Sequence, residues 1–207
     1  MLKRIIASIL FLILTAVSVL PAWATGEKST APSVRIAVID TGIAVSRLDS
    51  SKVLEGKNYI TGGSTTDLVG HGTRIASIIL GADDGKVKLE GSAPEALLVP
   101  LVYSTKLPSG VPIAGGAEMI AECIRDAVDV YDCKIICVSS GVIENNTALE
   151  EAVIYADKMG TVVIAAVGND NIRATERIFY PAAYETVISV GSVDSDMRIS
   201  DFSQLST

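Results

Sequence analysis

Runs typical of buried strands alternate along this chain with stretches that are apolar on one face at helical spacing. Val34 to Ile39 is rich in β-branched residues and has only Arg35 as a polar member, which predicts a strand buried on both faces, as in a parallel sheet. It stops at Asp40-Thr41-Gly42. A polar loop containing Gly62, Gly63 and Ser64 leads to Gly70-His71-Gly72-Thr73, which opens a helix. The following run, Ile75 to Leu80, is apolar almost all round and predicts a helix inside the fold, ended by a turn at Asp83-Asp84-Gly85. Ala96 to Val102 is the next predicted strand, interrupted only by Pro100, and Pro108 to Gly116 reads as loop. Ile120, Cys123, Ile124, Ala127, Val128 and Tyr131 then recur at steps of three and four, the pattern of an amphipathic helix. Ile135 to Val138 is a strand closed by Ser139-Ser140-Gly141. Thr147 and Glu150 form a capping box for a helix with the stripe Leu149, Ala152, Val153, Ala156 and Met159, stopped at Gly160. Thr161 to Val167 predicts a strand ending in Gly168-Asn169-Asp170, and Val187 to Val190 predicts the last one.

Strand and helix thus alternate from Val34 to Gly168, so the expected fold is α/β, a doubly wound and mostly parallel sheet with helices on both faces. With 49% hydrophobic and 20% charged residues the chain has the material for one sizeable core. Its start has a different character. Lys3 and Arg4 precede an uncharged apolar run, Ile5 to Leu20, then Pro21 and the small-x-small triplet Ala22-Trp23-Ala24. Residues 1–24 are therefore expected to be a signal peptide, 25–33 a short mature N-terminus and 34–207 the domain, in a secreted protein. A membrane association is expected only if the leader is retained as an anchor. Without the leader the chain holds 15 basic against 24 acidic residues, a net charge of −9, which argues against nucleic acid or an anionic membrane as partner. A monomer is expected. The three cysteines, Cys123, Cys133 and Cys137, are too few for a disulfide framework and lack a Cys-x-x-Cys pair. Cys137 reads as a buried small hydrophobe, while a Cys123–Cys133 bridge stays open as an alternative to free thiols.

Three of the strands end in small polar clusters, and a parallel sheet brings such ends to one edge, where ligands bind in open α/β folds. Asp40 closes the first, Ser139-Ser140-Gly141 the second and Gly168-Asn169-Asp170 the third. His71 is the only histidine of the 207 residues, and its helix start can reach the same edge. A carboxylate to orient an imidazole, an imidazole to move a proton and an amide to hold an oxyanion are the parts of acyl transfer. Two other chemistries fit less well. Asp-Thr-Gly after apolar residues also marks aspartic proteases, but these need a second such motif or a dimer, and an all-β chain. A dinucleotide site lacks its Gly-x-Gly-x-x-Gly after the first strand.

Val38-Ile39-Asp40-Thr41-Gly42, Gly70-His71-Gly72-Thr73 and Ala165-Ala166-Val167-Gly168-Asn169, in this order and spacing, closely resemble the subtilisin-like serine proteases. Gly91-Ser92-Ala93-Pro94, Tyr180-Pro181-Ala182 and Asp201-Phe202-Ser203 extend the resemblance from about Val34 to Ser203. It implies a serine endopeptidase in which Asp40 orients, His71 is general base and Asn169 supplies the oxyanion-hole side chain. It also implies that Ser139, Ser140 and Gly141 pair with an extended peptide substrate, with Ala165 to Gly168 lining the opposite wall. No cofactor is implied for the chemistry. A structural calcium is the one metal the resemblance brings in, with Asp49 and Asp84 near the family's ligand positions. The family's Gly-Thr-Ser nucleophile motif does not occur in these 207 residues. By the resemblance it would lie beyond Thr207, so the domain is expected to be C-terminally incomplete and the chain inactive as it stands. The alternative is a degenerate, non-catalytic relative that binds peptides or has no activity.

Overall fold

Arg35–Asp40 (β1) runs through the middle of a six-stranded sheet, flanked by Leu97–Val102 (β5) on one side and Ile135–Val138 (β8) on the other. The structure, a computed structural model, describes residues 33–205 apart from 84 and 87. The expected leader 1–24, the segment 25–32 and Asp84 lie outside the described residues. The remaining strands are Lys57–Asn58 (β2), Gly81–Asp83 (β3), Lys88–Glu90 (β4), Ser104–Lys106 (β6), Pro112–Ala114 (β7), Val162–Ala166 (β9) and Ile188–Val190 (β10). The α-helices are His71–Leu80 (α1), Ala117–Asp129 (α2) and Thr147–Lys158 (α3). Strand order in the main sheet is β10-β9-β8-β1-β5-β2, with every pair parallel. This is the doubly wound arrangement the sequence predicts.

The two faces of the sheet are covered by different helices. Ala37, Ile39, Val99, Leu101, Ile136 and Val138 point to one face, where α2 and α3 pack through Ile120, Ile124, Leu149 and Val153. The opposite face carries Ile36, Val38 and Leu98, against which α1 lays Ala76 and Leu80. That face is only partly covered. Towards the β10 edge the side chains in the same rows are open, with Val162 42%, Ile188 54% and Val190 49% exposed.

Several local expectations change. Among the described residues helix α1 lies on the sheet with Ala76 and Leu80 buried and Ile78 58% exposed on its outer side. The Asp83 turn is the tip of a short antiparallel hairpin of β3 and β4, and the loop after β5 contains a second hairpin of β6 and β7. Helix α3 is capped by Asn146 rather than Thr147, the Asn146 side chain accepting from the Leu149 amide at 3.1 Å. All three cysteines are free thiols, which leaves the Cys123–Cys133 bridge unformed. Burial pushes the Cys133 thiol up to about 12, as expected of a thiol in apolar surroundings. Cys137 is half-buried rather than fully enclosed, its Sγ 3.6 Å from the Ser139 hydroxyl.

The core on the α2–α3 face holds this architecture together, and Leu149 sits fully buried in it. Leu149→Ala is expected to cost about 2–5 kcal/mol in urea unfolding. A loss under about 0.5 kcal/mol would mean that the two helices are not packed as described.

Candidate active site

The sheet order reverses at β1, since the chain leaves it towards β5 and later returns to its other side at β8. The crevice beyond the carboxyl ends of β1 and β8 is therefore the topological switch point where α/β sheets bind ligands. Register fixes what stands there. Ile39 of β1 pairs with Val138 of β8, and Val138 with Ala165 of β9. One step further along are Asp40, Ser139 and Ala166.

Asp40 is buried, 2% exposed, at the end of its strand. His71, the first residue of α1, reaches it: Nδ1 lies 2.8 Å from Oδ1 and 2.9 Å from Oδ2. An ionised carboxylate only accepts hydrogen bonds, so Nδ1 carries the proton in this pairing and a neutral ring keeps its lone pair on Nε2. The imidazole side chain is 40% exposed, against 3% for that of Asp40. The Thr41 amide donates to Asp40 Oδ1 at 2.7 Å and fixes the carboxylate from behind.

Glycines make the approach of α1 to β1 feasible. A Cβ on Gly72 would stand 2.3 Å from the Gly42 carbonyl oxygen and 3.2 Å from Asp40 Oδ1. The space a side chain would need is taken by the backbone that carries Asp40, not by a ligand. Gly70 serves a different need. It has φ 96° with nothing near a would-be Cβ, so the backbone turn into the helix calls for glycine.

Sequence reasoning gave no role to Asp67, Thr41 or Thr73, and the structure joins them under His71. Asp67 Oδ1 accepts from the Val69 and Gly70 amides (2.8 and 2.7 Å) and from the Thr41 hydroxyl (2.9 Å). Its Oδ2 accepts from the Thr73 amide (2.9 Å) and hydroxyl (2.7 Å). Burial alone would raise the Asp67 carboxyl, but hydrogen bonds from Gly70, Thr73 and Val69 hold it below the usual carboxylate range. An acid shortly ahead of a helix start was the available signal.

The other expected site residues are distributed around the same edge. Asn169 is exposed on the turn after β9. Ser139, Ser140 and Gly141 follow β8, with the Ser140 hydroxyl turned inward beside Tyr103. Val142 already pairs with Tyr180, so the free backbone edge ends at Gly141. A groove of about 500 Å³ lies beside it, lined by Gly116, Ala117, Glu118 and residues 141–146. Ala165 puts its side chain into the core and can line a wall only with its backbone. Gly168 has φ 106°, and a Cβ there would meet the Phe179 ring at 2.4 Å.

Of the two acidic positions weighed for calcium, only Asp49 is among the described residues. Asp49 accepts from the Ser51 amide (3.0 Å) and hydroxyl (2.6 Å), capping a one-turn 3-10 helix at Ser50–Lys52. Asp49 and Asp83 line one groove of about 390 Å³ together with Arg47 and Lys88. Among the described residues no three His, Cys, Asp or Glu side chains cluster.

A carboxylate-oriented histidine at the carboxyl edge of a parallel sheet is the arrangement of serine-type hydrolases. The chain belongs to the subtilase family, whose model matches residues 32–207. It is 38% identical over 189 residues to the major intracellular serine protease of Bacillus subtilis (strain 168), covering 87% of this chain and 57% of that protein. It is 31% identical over 191 residues to the minor extracellular protease Epr of the same bacterium, covering 92% of this chain and 28% of that one. The solved structure of sphericase superposes with a TM-score of 0.67 at 33% identity, covering 87% of this chain and 62% of that chain. The chain thus spans less than two thirds of the length of the relatives it matches, which include both intracellular and extracellular proteases.

Two outcomes are expected. Gly72→Ala should destabilise the fold by about 1–3 kcal/mol in denaturant titration, because backbone must move to admit the methyl group; an unchanged midpoint would contradict the close approach. A structural calcium held near Asp49 and Asp84 should raise the melting temperature in a calcium titration, and a melting temperature that does not move would count against it.

Proposed function

We propose that this chain supplies the acid, the base and the oxyanion donor of a secreted serine endopeptidase. The observation that carries the reading is the pairing of buried Asp40 with His71 Nδ1 at 2.8 and 2.9 Å. In this reading Asp40 holds the ring so that Nε2 faces the crevice and takes a proton from a serine hydroxyl as it attacks the peptide carbonyl. The same nitrogen then passes that proton to the leaving amine. Asn169 donates its side-chain N–H to the oxyanion of the tetrahedral intermediate. The substrate is a peptide in extended conformation. Its backbone lies between the Ser139–Gly141 edge and the Ala165–Gly168 segment, a mode indifferent to most side chains. The apolar start of the chain, Ile5 to Leu20 behind Lys3 and Arg4, supports export.

In this reading a serine from outside these 207 residues supplies the nucleophile. Among the described residues no serine hydroxyl is hydrogen-bonded to His71. Ser203 is 1% exposed, with its hydroxyl accepting from the Ser192 amide and donating to the Gln204 carbonyl. Open apolar positions on the α1 face at Val162, Ile188 and Val190 support a further segment that covers them. The same missing serine favours a second reading, a non-catalytic relative that holds peptides in the crevice.

A fluorophosphonate probe separates these readings. The 207-residue chain is expected to label at no serine and to leave peptide substrates intact. The chain extended by its downstream coding sequence should label at one serine and cleave, losing about 10⁴-fold or more in kcat on His71→Ala. Labelling of the 207-residue chain would overturn its inactivity. An extended chain that never labels would leave the peptide-binding reading.

A further inference from the structure

Helix α1 begins with Gly70 in the capping position, where no side chain can accept a hydrogen bond from the first turn. The first-turn donors are satisfied from elsewhere. Asp67 takes the Thr73 amide and hydroxyl on Oδ2, while the Thr41 hydroxyl takes the Gly72 amide at 2.9 Å and donates to Asp67 Oδ1. Thr73 Oγ1 in turn accepts from the Ala44 amide at 3.0 Å. Thr41 is the residue whose own amide holds Asp40 Oδ1. One buried carboxylate, 9% exposed, therefore ties the strand end that carries Asp40 to the helix turn that carries His71.

All five atoms that face the Asp67 carboxylate are donors. An amide of the same shape would turn an N–H₂ towards at least one of them, so Asn is not a neutral replacement. Charge-assisted bonds of this kind are short and directional, and they fix position more tightly than an exposed cap does. Because His71 is the first residue of α1, a small rotation of that turn moves the ring directly.

We infer that Asp67 is a positioning residue for the Asp40–His71 pair, acting through Thr41 on one side and through Gly72 and Thr73 on the other. This rests on the proposed acid–base role of that pair. Asp67 itself does not touch the ring. Its contribution is the angle and distance at which Nδ1 meets the Asp40 carboxylate.

His71 is the only histidine of the chain, so its imidazole proton and nitrogen signals can be read by NMR without assignment and without any enzymatic activity. The 207-residue chain is expected to show a downfield Nδ1–H proton and a ring mainly in the Nδ1–H tautomer at neutral pH. In Asp67→Asn the downfield proton should weaken or vanish and the tautomer ratio should shift by about tenfold towards Nε2–H, the scale of one charge-assisted hydrogen bond. Thr41→Val removes one arm and leaves the Asp67 cap on Val69, Gly70 and Thr73, so it should shift the ratio less. Leu149→Ala, which weakens the distant core, should leave the ring signals as in wild type. Wild-type ring signals in folded Asp67→Asn, or in Thr41→Val should Asp67→Asn not fold, would overturn the inference. A ring signal that moves equally in Leu149→Ala would reduce Asp67 to a general stabiliser and overturn it too. A wild-type ring lacking Nδ1–H would remove the pair itself, an outcome that defeats the proposed function independently of how the Asp67 variants behave.

Discussion

The structure depends on one close approach, that of the first turn of α1 to the end of β1. Asp40 sits at the end of a strand buried from Ile36 onward and has no freedom to seek a partner. The histidine must come to it, and it can do so only because two backbones touch where side chains would ordinarily stand, at Gly42 and Gly72. Such contact gains little apolar burial and leaves helix-end amides without intrahelical acceptors. The buried carboxylate of Asp67 and the hydroxyls of Thr41 and Thr73 answer that need. The pair that can do chemistry is thus the visible part of a larger polar cluster whose remaining members only hold still.

This division explains what could be read from the chain alone. The doubly wound sheet was legible because buried strands and one-sided helices differ in period, and Val34–Ile39 and Ile135–Val138 show this without ambiguity. The pairing of Asp40 with His71 was legible because they stand where a strand and a glycine-framed helix start stop being apolar. The exposure of α1 was not. A run such as Ile75 to Leu80 looks wholly internal until it is known how much of the sheet lies over it, and Ile78 is left outward by that geometry. Asp67 was missed for a related reason: its partners, Thr41 and Thr73, lie in two segments, and only tertiary contact gives it five donors. The capping residue of α3 moved by one position, from Thr147 to Asn146, because either side chain can take the role and backbone conformation chooses between them.

Membership of the subtilase family and the geometry at β1 answer different questions. The family match covers nearly all the described residues and defines the scaffold. A scaffold can host a site or lose one. Here Asp40 and His71 keep a tight pairing, and among the described residues no serine hydroxyl is hydrogen-bonded to the ring.

The bare rows at the β10 edge have a consequence for how this chain behaves as a material. Ile188–Val190 is a terminal strand with all three residues exposed, next to open Val162 on the same sheet. Unpaired strand amides beside uncovered valine and isoleucine are a template for other chains. Wherever that border stays uncovered it favours association between copies, and charges placed on β10 would oppose it.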